Sequence, residues 1–304
     1  MGGSRRHLLQ ALGTAATMLA GGGALASPLV LADSLGRQVV LPAPPQRIVP
    51  IFASNTELVA AAGAADRIVG VEAYTRFPPE IAHLPQVGGR LGFSVDRVAR
   101  LSPDLVIVTP ARQAVHQLVD PLERLGIPVM VLTHPTIAAV LANLRLVARA
   151  CGLEGRGEAA ALRLEARLAA VAVAAADRRG PSLRALMVTG RVSSGLLLIA
   201  RPGTYTADAV RLAGALPALG PQVLAQVSPE AILRADPDIL LFAGTEAARD
   251  ELFASPAWSA LRARREGRIV TVSRSTFLIP GPRVVDGIEA LATVLDHHHR
   301  EIRS

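Results

Sequence analysis

The sequence predicts an α/β protein of two lobes with mostly parallel sheets, joined by one long rigid helix. Three observations carry that prediction. Ser94-Val95-Asp96, followed by Pro103-Asp104-Leu105-Val106-Ile107, recurs 134 positions on as Ser228-Pro229-Glu230, followed by Pro237-Asp238-Ile239-Leu240-Leu241. Each copy reads as a Ser-capped short helix with an acid in its first turn, a Pro-Asp stop and an apolar strand. A weaker echo supports the duplication: Glu57, Val59 and Ala62-Gly63-Ala64 answer Asp208, Val210 and Ala213-Gly214-Ala215. Within each half, short apolar runs alternate with helical patterns, which is the βαβα rhythm of a parallel sheet.

The elements follow in order. Paired Arg5-Arg6 before a Gly- and Ala-rich apolar run reads as a twin-arginine signal peptide, residues 1–32. Small residues allow a cut after Ala26 or after Ala32, and the second is favoured, leaving Asp33 as the mature start. The N-terminal lobe spans 33–152, with strands near 47–51, 68–72, 105–109 and 128–132. Helices lie near 56–62, 95–101 and 113–125. Two more follow, near 136–151 and 158–177, and the second carries Leu164, Leu168 and Val171 at helical spacing. It anchors a linking helix assigned to 153–180, and its stiffness favours small rocking of the lobes over wide closure. The C-terminal lobe, 181–304, resumes the alternation. Its strands fall near 183–189, 196–200, 239–243 and 268–272, with helices near 206–213, 229–234 and 282–296.

Composition excludes several classes. All 32 basic residues are arginine, scattered among acids with no basic block, which argues against a nucleic-acid partner. A single cysteine, Cys151, excludes an intrachain disulfide and a thiolate metal cluster, and reads as a small buried apolar residue. No lipobox cysteine follows the leader, so the mature protein is expected to have no membrane anchor and to be soluble in the periplasm. His83, His116 and His134 lack the spacing of a zinc site, and His297-His298-His299 reads as a solvated tail after the last helix. Hydrolase and nucleotide motifs are absent from the sequence. No catalytic residue, bound metal or resident cofactor is expected.

In open α/β sheets ligands bind beyond the carboxyl ends of the strands. The loops after the predicted strands hold Ser54 and Asn55, then Tyr74, Arg76 and Phe77, then Arg90 and Arg112 in the first lobe. The second contributes Arg201 and Tyr205, then Arg274 and Phe277. Aromatics are only 3% of the chain, yet both tyrosines fall in these loops. Arginines beside them suit a large ligand with a flat face and anionic groups. Asp96 and Glu230, each at a helix start before a strand, are expected on an outer face away from that cleft.

From Arg47 onward the chain resembles the substrate-binding proteins of ABC importers for ferric siderophores, haem and cobalamin. The matching segments are Ser54-Asn55-Thr56-Glu57-Leu58, Gly70-Val71-Glu72-Ala73-Tyr74, Phe77-Pro78-Pro79, Pro103-Asp104-Leu105-Val106-Ile107 and Pro280-Gly281-Pro282-Arg283. The resemblance implies two Rossmann-like lobes, no enzymatic activity and a permease dimer with its ATPase as partners. It also implies that Asp96 and Glu230 are the carboxylates that dock on permease arginines, Asp96 standing where the family more often has Glu. Cobalamin binders of this family frame the corrin with tryptophans, at places that align with Arg90 and Thr109. Haem binders often use a Tyr before Pro, where this chain has Phe77. A ferric siderophore, already saturating its iron, is therefore the first expectation for a bound ferric or cobalt chelate, ahead of cobalamin and haem.

Overall fold

The computed structural model describes residues 27–89, 92–110, 115–178, 180–220 and 224–301. Its first element is an antiparallel ribbon of Leu29–Ala32 with Gln38–Leu41. Side chains alternate across it, so Leu31, Val39 and Leu41 enter the core while Val30 and Val40 face out. Residues 29–32, assigned to the leader, are a strand of the N-terminal lobe. Asp33 is buried just beyond it, and its carboxylate accepts the backbone N–H groups of Leu35, Arg37 and Val131 at 2.9–3.1 Å.

The centre of this lobe is a parallel sheet in the order Ile48–Pro50, Leu105–Val108, Val129–Val131. Every residue of the three strands is buried, which is why they read as unbroken apolar runs. A second small sheet, Val71–Glu72, Gln86–Gly89 and Gly92–Phe93, joins it through a bridge between Ile48 and Ile68. Helices Ala53–Ala61, Val95–Arg100, Val115–Glu123 and Ile137–Ala150 complete the lobe.

The C-terminal sheet has the order Gln226–Val227, Leu197–Ile199, Arg184–Arg191, Ile239–Ala243, Ile269–Val272, with Leu216–Pro217 paired to the start of Arg184–Arg191. The last three strands are parallel. Leu197–Ile199 runs antiparallel to Arg184–Arg191 because a tight turn at Val192–Gly195, with Gly195 at φ 85°, joins them, and so short a connection forms only a hairpin.

The duplicated segment explains itself in the coordinates. Ser94 Oγ caps one helix by accepting the N–H of Arg97, and Ser228 Oγ caps its counterpart by accepting that of Ala231, both at 3.3 Å. The repeated Asp has a matched task in each lobe. Asp104 accepts the N–H of Arg47 at 2.9 Å, and Asp238 accepts that of Arg184 at 2.8 Å. Arg47 in turn donates to the carbonyl of Leu101, and Arg184 to that of Ala235, its equivalent. The repeat thus clips one strand to the start of its neighbour, once per lobe.

The linking helix, Glu154–Ala176, begins four residues before its expected start. Gly155 and Gly157 weaken the helical pattern there. Gly157 is needed for contact, since a Cβ at that position would fall 2.1 Å from Cβ of Ala148. Leu164 packs against the cores of both lobes. Arg145 ties the helix Ile137–Ala150 to Glu158 and Glu165, and Arg167 ties the linking helix to Asp286 and Glu289 of the last helix, Val284–Glu301. That last helix runs through His297, His298 and His299, where a tail was expected; no breaker follows Asp296. Cys151 is buried, and burial pushes its thiol up to about 11.

Candidate functional site

The carboxyl ends of the two sheets meet across the lobe junction. The loop after Ile269–Val272 leads to Arg283, whose guanidinium bonds Glu57 Oε1 through Nη2 at 2.6 Å and Nε at 3.1 Å. The same group lies over the ring of Phe77, 4.2 Å from its centroid, in the loop after Val71–Glu72. A second contact runs the other way: Asp208 Oδ2 accepts the backbone N–H of Ile137 at 2.9 Å, and Ile137 is buried in the C-terminal core. Glu57 and Asp208 are the two acids of the weaker sequence echo. Each projects from an equivalent helix onto the opposite lobe.

The N-terminal wall of this junction is aromatic. Phe52, Tyr74 and Phe77 are 37%, 53% and 38% exposed, and they are the exposed aromatics among the described residues. Phe93 is half-buried beside them. Phe52, at φ 77°, stands at the N-cap of Ala53–Ala61, in a backbone region costly for a bulky side chain. Phe52, Glu72, Phe93 and Arg283 were not among the expected ligand contacts. Phe52 could have been found by the same loop rule, since it directly follows a predicted strand.

Several of the residues expected at the ligand are buried or bonded within their own lobe. Ser54 and Asn55 are buried. Asn55 Nδ2 donates to the carbonyl of Ile51, and Asn55 Oδ1 accepts from Thr109 Oγ1 at 3.1 Å and faces His134 Nε2 at 3.3 Å. Asn143 Nδ2 donates to His134 Nδ1 at 3.0 Å, which leaves the ring proton on Nε2. Small polar residues at the ends of buried strands thus satisfy one another. Phe277 is buried in the C-terminal core. Tyr205 is half-buried against that core, and burial pushes its phenol up to about 12. Because Leu197–Ile199 is antiparallel, the loop with Arg201 lies away from the carboxyl ends. It borders a cavity of about 250 Å³ lined by Met187, Pro202, Thr204, Asp208 and Thr136 of the other lobe. Arg76 donates to the carbonyls of Ala73 and Thr75 in its own loop. Arg274 is exposed across the carboxyl ends of two strands, its Nη1 bonded to the carbonyls of Thr189 and Ala243 at 3.1 Å. Arg90 and Arg112 lie outside the described residues.

His134 makes a measurable prediction. Burial lowers its pKa from 6.5 to about 4. Between these values the unfolded chain takes up a proton that the folded chain refuses. This contribution, of order 3 kcal/mol, is whole above pH 6.5 and is lost as pH falls toward 4. Urea unfolding of wild type and His134→Gln at pH 7 and 4.5 tests it. A wild-type pH slope equal to the variant's would refute it.

Asp96 and Glu230 are exposed, but not on the face expected. Each helix runs antiparallel to the strand after it, so its first turn stands near the carboxyl ends. Ser94 N–H bonds the carbonyl of Val87, beside the Gly88 to Phe93 pairing, and Val227 pairs with Leu197, which in turn pairs with Arg191. Both acids therefore sit on the carboxyl-end rim of their lobes. The side-chain bond to Ser228 holds the Glu230 carboxyl below its ordinary pKa.

Comparison with known proteins places this geometry. A family model described as periplasmic binding protein matches residues 48–275. A periplasmic heme binding protein from Pseudomonas aeruginosa is 30% identical, with a TM-score of 0.72 over 83% of this chain and 92% of that one. A vitamin B12-binding protein of Pectobacterium carotovorum subsp. carotovorum is 25% identical over 255 residues, covering 83% of this chain and 88% of its own. An ABC-type Fe3+-hydroxamate transport protein from Saccharomonospora viridis, 23% identical, has a TM-score of 0.71 over 87% and 97% of the chains, a likeness of fold alone. No helix among the described residues is long and apolar enough to cross a membrane.

Proposed function

The chain belongs to the periplasmic binding protein family, and we propose that it is the periplasmic substrate-binding component of an ABC importer for a metal chelate, a ferric siderophore. The observation that carries this is the unequal pair of walls: exposed Phe52, Tyr74 and Phe77 on one lobe, exposed Arg274 on the other. Flat or apolar ligand surface suits the first, and anionic oxygen suits the second. The single tryptophan, Trp258, is buried in the C-terminal lobe, which argues against a tryptophan-framed corrin. Haem is the second reading, favoured by Tyr74, whose exposed phenol could reach a ferric iron.

Binding without turnover is the role proposed. Titration with a ferric trihydroxamate, haemin and cyanocobalamin, followed by mass spectrometry of the recovered ligand, tests both parts. The ferric trihydroxamate should bind and return intact. Phe52→Ala and Tyr74→Ala should each weaken it by about 1–3 kcal/mol. Binding of haemin alone would transfer the assignment to the second reading, and a chemically altered ligand would point to an enzyme.

Export by the twin-arginine route remains part of the proposal. Lysine at both Arg5 and Arg6 should leave precursor in the cytoplasm. The strand at Leu29–Ala32 favours cleavage after Ala26, because a cut after Ala32 removes buried Leu31 and its strand pairing. Intact-mass measurement of periplasmic protein should give Ser27 as its first residue. A mature Asp33, or normal export of the double Lys variant, would reject the corresponding part.

A further inference from the structure

Beside the aromatic wall, at the carboxyl end of the N-terminal sheets, lies a small pocket of about 80 Å³. That is room for several waters or one aminomethyl group. Phe52 and Phe93 line it, with Glu72 and the backbone of Gly88 and Gly89. No basic residue is among the described residues that line it. We propose that this pocket is an ammonium subsite, which takes a protonated amine carried on an arm of the ligand. The proposal rests on the chelate reading above and adds the charge and shape of one part of the chelate.

Three features converge. Aromatic faces attract cations through the ring quadrupole, most strongly where water is excluded. A carboxylate beside them adds a charge-assisted hydrogen bond. The glycines bring the hairpin strands together: a Cβ at Gly88 would fall 2.3 Å from Cα of Phe93, so only glycine there lets Phe93 close on the pocket wall. The backbone N–H of Ala53, at the start of a helix, favours the charged form of Glu72. The helix end offsets part of the negative charge. Burial nonetheless raises the pKa of this carboxyl above its ordinary value. A carboxylate-bearing arm would be repelled here, so the pocket discriminates among chelates by the charge of their substituents.

The test uses the mature protein and two probes, a linear ferric trihydroxamate with one pendant primary amine and the same chelate N-acetylated. Isothermal titration should show the amine form binding at least about tenfold more tightly. In Glu72→Gln, which keeps the size of the side chain and removes its charge, that ratio should collapse toward one. A second readout needs no chelate. Ethylammonium chloride should shift the amide NMR signals of Gly88 and Gly89 in wild type and not in Glu72→Gln. Equal binding of the two chelates, with those amides unmoved in wild type, would overturn the subsite and leave the chelate reading intact. If neither chelate binds while ethylammonium still moves the amides, the subsite stands and the ferric trihydroxamate reading falls.

Discussion

Replacing Glu57 with Ala is expected to destabilise the folded chain by about 3–5 kcal/mol, the range for breaking a buried ion pair from one side. Glu57 is 2% exposed, and Arg283 is its cation from the other lobe. Its Oε2 is buried with no hydrogen-bond partner, and a Cβ at Gly281 would fall 2.5 Å from that oxygen, so the loop closes tightly over the carboxylate. Loss of the acid leaves the guanidinium over the ring of Phe77 without its carboxylate. Loss of the cation, as in Arg283→Met, strands the carboxylate instead.

The two variants differ in their response to pH. Burial, which outweighs the attraction of Arg283, raises the Glu57 pKa above 4.5. Without Arg283 it rises further. Above 4.5 the native state of Arg283→Met then holds a proton that the unfolded chain has released, so its stability falls as pH rises through the folded pKa. Arg283→Met should therefore be more damaging at pH 8 than at pH 5, whereas Glu57→Ala lacks that dependence. The double variant Glu57→Leu with Arg283→Met should recover part of the loss, because it leaves no unpaired buried charge. Strictly additive losses in urea unfolding would show that the two residues do not act as a pair.

That pair also marks how far a single sequence can be read. The repeat, the βαβα order and the apolar face of the linking helix were legible because each is a local pattern. The contact of Glu57 with Arg283 spans 226 residues, and nothing local announces it; its trace was the alignment of Glu57 with Asp208, visible as an echo before its purpose was. Leu197–Ile199 reads the same in either direction, and its antiparallel course depends on the tightness of the preceding turn. Asn55 and Tyr74 both follow predicted strands, but Asn55 finds Thr109 and His134 beneath the surface while Tyr74 finds none of that cover. Polar type and loop position do not fix burial. The rim position of Asp96 and Glu230 was derivable in principle, since a helix that precedes a parallel strand must start near the carboxyl end.

That rim position sharpens the last expectation. If the chain delivers its ligand to a permease dimer, the face that docks should be the one onto which the cleft opens. Asp96 and Glu230 stand on that face, one per lobe, at equivalent first turns of capped helices. Pseudo-symmetry then presents one carboxylate to each permease subunit. Reversing both to Arg sets like charges against the arginines expected there, and transport in reconstituted vesicles should fall at least about tenfold. Folding should change little, because both side chains are exposed and each Ser Oγ still accepts its backbone N–H, from Arg97 and from Ala231. Ligand affinity needs its own measurement now that the acids border the cleft: titration of the double variant should stay within about twofold of wild type, since neither Asp96 nor Glu230 lines the aromatic pocket. High salt should weaken docking of the wild type as well, by screening the same exposed charges. Full uptake by the doubly reversed protein would reduce Asp96 and Glu230 to helix-start acids, and the docking surface would have to be sought elsewhere on the rim.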